Sequence, residues 1–222
     1  MRLLKRDSRS PYTIIFKAVN GYHFFQPGSR VYSDRPDGIS PILNGEQPMN
    51  NSESDLKIYT YPDRVLRATA EPIENIDEDL QNLADKMIHT MYLAPGIGLA
   101  ANQVGELKRV IVFDLFPRKE GREPRVLINP EIVLSEGKVA SEESCLSVVD
   151  YSAEVSRDAQ VKVRGVDRQG KPMDIEAEGL LAICLQHEID HLNGTLYIDH
   201  ISSLKRALYK KKLKKKLKKE ET

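Results

Sequence analysis

The chain has 222 residues, 40% of them hydrophobic and 6% aromatic, with no tryptophan, which suits one domain with appendages and a real core. Its 33 basic and 33 acidic residues cancel, but residues 205–219 hold nine lysines, Arg206 and no acid, so the rest carries 23 bases against 33 acids and a basic tail follows an acidic body. No apolar run approaches the ~20 residues needed to cross a bilayer, and two cysteines, Cys145 and Cys184, are too few for a disulfide framework and point to a reducing compartment.

Residues 1–54 carry scattered Pro, Gly, Ser, Asn and Asp without a sustained period, and read as an unstructured leader, with Met49 as an alternative start. The acid-poor start (Arg2, Lys5, Arg6, Arg9) leaves an organellar transit peptide as the second reading. Order begins at 56–61, an alternating strand-like run closed by Pro62-Asp63. Asn75 or Asp77 can cap a helix to about Leu93, with Leu80, Leu83, Ala84, Met87, Ile88 and Met91 as its buried stripe. The stretch 95–103, Pro-Gly-Ile-Gly-Leu-Ala-Ala-Asn-Gln, reads by itself as a tight turn; it lacks the third glycine and the Lys-Ser/Thr of a phosphate loop.

Runs 109–115 and 125–130 predict strands around a charged loop, with 132–134 continuing the sheet. Runs 159–167 and 171–178 predict a hairpin turning at Arg168-Gln169-Gly170. A helix follows from about Gly179, and a last one spans about 202–219, with Leu204, Leu208, Leu213 and Leu217 at mixed helical spacing. Strands in the middle and helices towards the ends predict an α+β fold, with mixed, mostly antiparallel sheets around a central helix.

That central helix contains Gln186-His187-Glu188-Ile189-Asp190-His191-Leu192. At a spacing of four, His187 and His191 lie on one face and can hold one metal ion, with Glu188 beside them as general base. A chance histidine pair on an exposed face is the bland alternative; the intervening Glu and the apolar flanks speak against it. Cys145 is the candidate third ligand, because a thiolate and two imidazoles leave an open position, as catalytic metal sites require. Cys184, three residues before His187, fits a buried core thiol. A zinc peptidase would instead take its third ligand downstream, where Asp199 and His200 are the nearby options.

Three segments together resemble the peptide deformylases. Gly96-Ile-Gly-Leu-Ala-Ala-Asn-Gln103 matches the first motif, Glu143-Ser-Cys-Leu-Ser147 the second, and Gln186–Leu192 the third, in order and spacing. The resemblance spans roughly residues 55–205 and implies removal of the N-formyl group from formyl-Met nascent peptides in a bacterial cytoplasm. It implies metal ligation by Cys145, His187 and His191, acid/base work by Glu188, and oxyanion binding by the Gln103 side chain and the Leu146 N–H. The ion implied is ferrous iron, with zinc, nickel or cobalt as alternatives.

Ile97, Gly98, Glu143, Ile183 and Cys184 are the candidate substrate contacts, with Ile97, Ile183 and Cys184 as apolar walls for the methionine side chain. Ser144 replaces the usual glycine of the second motif and is strained if φ is positive there; Val149 replaces a common proline. The expected organisation is a leader at 1–54, a catalytic domain at 55–203 and a Lys-rich tail at 204–222, the whole a monomer. The tail reads either as a solvated helix end or as an attachment to ribosomal RNA. A non-catalytic RNA-binding protein is the reading that rests on the tail alone.

Overall fold

The computed structural model describes residues 55–116 and 122–220; the leader expected at 1–54 lies outside them. Helix α1 spans Glu78–Leu93. Its N-cap is Asp77, whose carboxylate accepts from the Leu80 N–H at 2.9 Å, and Glu78 and Asp79 place negative charge on the first turn, where the helix dipole favours it. Leu80, Leu83, Ala84, Met87 and Met91 are buried as the period predicts, while Ile88 is only partly covered.

The run 56–61 joins no ladder. Its alternation is real, since Leu56 and Ile58 pack with α1 and Tyr59 and Tyr61 face a different cluster. Its amides, however, go to three separate partners: the Thr90 hydroxyl for Leu56, the Gln103 carbonyl for Tyr59 and the Ser147 carbonyl for Tyr61. A strand pattern is thus spent on stitching together three other elements.

The main sheet has five antiparallel strands: β1 (Gly98–Ala100), β2 (Val110–Phe113), β3 (Arg125–Glu136), β6 (Gln160–Val166) and β7 (Pro172–Glu178), in that spatial order. β2 is buried on both faces; Ile111 and Phe113 enter one core cluster, Val110 and Val112 the other, as alternation along a strand dictates. β3 runs through the Asn129-Pro130 interruption by a register shift. Asn129 there adopts φ +51°, and its side chain both accepts from and donates to the Ile73 backbone at 2.8 Å.

The stretch expected as a plain turn is instead strand β1 followed by a 3-10 turn, Ala101–Val104. Gly105 closes that turn at φ +90°, where an added Cβ would press on the Tyr59 ring.

A second sheet has two antiparallel strands, β4 (Val139–Cys145) and β5 (Val148–Arg157), joined at Leu146-Ser147. Helix α2, Gly179–Leu192, lies between the sheets and is buried almost continuously from Ala182 to Ile189, as a helix apolar all round must be. Helix α3 spans Ser203–Glu220. Its leucines do not form the inner stripe, because Leu204, Leu208 and Leu217 are exposed. Tyr209 is its buried anchor, stacked 4.6 Å from Tyr151 of β5, with Leu213 partly covered beside it.

Candidate metal centre

α2 carries His187 and His191 on successive turns of one face, and the β4 terminus brings Cys145 to them. One ligand atom from each of the three lies within 4.8 Å of the other two, and all three residues are buried. Cys145 Sγ is 3.1 Å from His191 Nε2. The backbone N–H of Ser147 and the Nε2 of Gln103 point at the same sulfur, at 3.4 and 3.6 Å.

His187 Nδ1 lies 2.8 Å from Glu143 Oε2. Burial alone would raise the Glu143 carboxyl, but hydrogen bonds from His187 and Arg157 reverse this and hold it at about 2. An ionised Glu143 makes His187 Nδ1 the donor, which leaves Nε2 for the ligand cluster. Burial disfavours charge on both imidazoles. At His187, Cys145 and Glu143 outweigh burial and raise its proton affinity, whereas at His191 burial and the neighbouring His187 hold it low. Cys145 and Glu143, on either side of the His187 ring, thus favour positive charge there. The donor set of one sulfur and two nitrogens fits a divalent first-row metal with one position left open.

Glu188 follows His187 with its carboxylate in the same cleft. Burial, opposed by His187 and reinforced by Glu143, raises it to about 7, and Oε2 is buried without a hydrogen-bond partner. A Cβ on Gly98 would collide with this carboxylate, so glycine at the start of β1 is what admits it. Gln103 is fixed at both ends of its amide. Oε1 accepts from the Ala100 N–H at 2.8 Å, and Nε2 donates to the Ser147 hydroxyl at 3.1 Å, which aims a donor at the centre.

The cleft is lined by Ile97, Gly98, Gln103, Ser144, Cys145, Leu146, His187 and Glu188. Ile97, Gly98 and Leu146 therefore line the same cleft as the candidate ligands. Glu143 does not, because it is fully buried and turned away from the cleft to hold Arg157 and His187. Ile183 and Cys184 are not in this lining. Cys184 sits in the core, its Sγ 3.8 Å from the Ile97 carbonyl, and burial, with Glu188 and Glu143 adding to it, raises its thiol well above the ordinary range. Ser144 is not among the described residues with positive φ, so the condition for strain there is not met.

Asp199 and His200, the peptidase-type alternatives, are engaged elsewhere. Asp199 pairs with Arg67 and caps the Leu196 N–H at 2.9 Å, while His200 Nε2 meets Asp190 Oδ2 at 2.7 Å. Arg157 has no motif to announce it. It is 4% exposed and bridges Glu143 at 2.6 and 3.0 Å to Asp190 at 2.6 Å, tying the end of β5 to α2. Only burial of a lone arginine at a strand end could have signalled it, and burial is not written in a single sequence.

The family model described as polypeptide deformylase matches residues 55–207. A peptide deformylase of Thermodesulfovibrio yellowstonii is 57% identical over 159 residues, covering 72% of this chain and 96% of the relative. One from Mesorhizobium japonicum is 56% identical, covering 71% and 90%. The crystal structure of a peptide deformylase from Legionella pneumophila superposes with a TM-score of 0.69 at 48% identity, over 74% of this chain and 96% of that one. A peptide deformylase from Ehrlichia chaffeensis in complex with actinonin gives a TM-score of 0.69 at 42% identity, over 73% and 98%. With the three motifs converging on one buried cleft, the chain belongs to the peptide deformylase family.

Proposed function

We propose that this cleft hydrolyses the N-formyl group of formyl-Met nascent peptides, with Cys145, His187 and His191 holding a divalent metal ion. The observation that carries the reading is the convergence of those three ligand atoms within 4.8 Å, with Glu188 and Gln103 lining the same cleft. When bound, the ion acts as a Lewis acid that polarises a carbonyl and lowers the pKa of water.

The residues of the chain account for the rest. Glu188, poised near neutrality, takes the proton of the attacking water and returns it to the departing amine, so that formate and a free N-terminus leave. Gln103 Nε2 and the Leu146 N–H receive the oxyanion of the tetrahedral state. The fixed amide of Gln103 needs no reorganisation to do so. Ile97 and Gly98 line the edge along which the peptide lies. Ferrous iron is the resident ion in this reading, with zinc, nickel and cobalt as substitutes that the same donors accept.

The test is metal analysis of anaerobically purified protein together with formate release from formyl-Met peptides. Blocked internal peptides, the substrates of a peptidase, should not be cleaved. Cleavage of internal bonds without formate release would replace this reading with the peptidase one. The proposed catalytic unit spans 55–203 and acts as a monomer in the cytoplasm. The lysines of α3 attach it to ribosomal RNA, close to emerging formylated chains.

A further inference from the structure

Asn102 occupies the variable position of the first motif, and sequence gives it no task. In the structure it is fully buried, in the 3-10 turn that also carries Gln103, and its Nδ2 donates to the backbone carbonyl of His191. That bond fixes the amide orientation, since the opposite one would set two acceptor oxygens against each other. Asn102 Oδ1 then remains a buried acceptor without a donor.

The complementary atom belongs to the residue it already holds. His191 turns Nε2 towards Cys145 Sγ at 3.1 Å, and its Nδ1 is buried without a hydrogen-bond partner; with Nε2 on a metal, the ring proton sits on Nδ1. Buried polar groups are rarely left unpaired in native proteins. Metal-bound histidines almost always donate their second ring N–H to a fixed acceptor. His187 has that acceptor in Glu143.

We propose that Asn102 is a positioning residue for His191, with Oδ1 taking the Nδ1–H once Nε2 engages the metal. The inference rests on the metal centre proposed above. One buried carboxamide then sets both the carbonyl and the ring of a ligand, and it links the His191 end of α2 to the turn that presents Gln103.

The test compares wild type with Asn102→Ala and, should the alanine variant fail to fold, Asn102→Ser. Anaerobic cobalt(II) titration followed by the thiolate-to-metal absorption reads affinity. NMR of the zinc-loaded protein reads the imidazole Nδ1–H protons, and thermal unfolding of the metal-free protein reads packing. Wild type should show two protected Nδ1–H resonances, from His187 and His191. The alanine variant should keep only that of His187, with cobalt affinity lower by ~10–100-fold.

A role in packing alone would lower the metal-free midpoint and leave the affinity of the folded protein and both resonances in place; that result overturns the proposal. If wild type itself gives no thiolate-to-cobalt absorption, the metal centre is wrong and this inference goes with it. That outcome is distinct from a wild type that binds cobalt and an alanine variant that binds it equally well.

Discussion

Glu188 sets the pH behaviour of the site. Burial, only partly offset by His187, carries its carboxyl from 4.5 to about 7, so the folded chain holds this proton more tightly than the unfolded chain does. The resulting stabilisation is complete below pH 4.5 and is lost as pH rises through 7, on the order of 3 kcal/mol across that window. Glu188→Gln cannot ionise. Denaturant unfolding of the metal-free variant should therefore lose most of the wild-type decline between pH 4.5 and 7, and formate release should be abolished. A variant that keeps the wild-type slope would mean that Glu188 is ionised throughout. Gln103→Ala removes a donor, and its long contact to Cys145 Sγ, while leaving all three ligands in place. Its kcat should fall ~10²–10³-fold with metal content unchanged. Its stability should drop by about 1–3 kcal/mol, because the buried Ala100 N–H loses the Oε1 acceptor. Near wild-type turnover in a folded, metal-loaded Gln103→Ala protein would remove this side chain from the reaction.

The hairpin β4–β5 and helix α2 are fastened by one guanidinium. Arg157 at the end of β5 is buried against Glu143 of β4 and Asp190 of α2, and Glu143 in turn holds His187. Arg157→Met takes the guanidinium from the buried Glu143 and from the partly exposed Asp190 and should cost about 3–5 kcal/mol in urea unfolding. Adding Glu143→Gln should recover part of that loss in a double-mutant cycle, since the second change removes one stranded charge; strict additivity would show that the two do not act together. The same junction shows what sequence conveys and what it does not. Helix α1 was legible because capping by Asp77 and the 3.6-residue stripe are local facts, and α2 because its apolar run and the four-residue spacing of His187 and His191 are local too. The three metal-ligand candidates were legible because residue chemistry restricts which types serve. Arg157, the core-facing turn of Glu143 and the β4–β5 pairing were not, because each depends on a partner far along the chain. The run 56–61 misled for the same reason: its alternation recorded burial on two sides, while its hydrogen bonds went to three distant elements.

For the whole molecule, the question is what an acidic body does with a basic helix. Some of that charge is spent internally, as where Lys216 meets Asp150 at 2.7 Å, and Tyr209 clamps the helix root against Tyr151. Lys211, Lys212, Lys214 and Lys215 are exposed on a helix that buries only Tyr209 and, in part, Leu213 among its large apolar side chains, an arrangement suited to counterion release from a polyanion. Binding of ribosomal RNA should therefore weaken linearly in log–log form as salt rises. Replacing these four lysines by glutamine should cut the slope by about 3, at ~0.7–0.9 per phosphate contact. Turnover of a short formyl-Met peptide should stay at the wild-type rate, because none of the four lines the cleft. RNA affinity indifferent to salt and to these substitutions would leave α3 a solvated appendage. A parallel loss of peptide turnover would instead show that the helix supports the hairpin carrying Cys145, since Tyr151, on which Tyr209 rests, belongs to that hairpin.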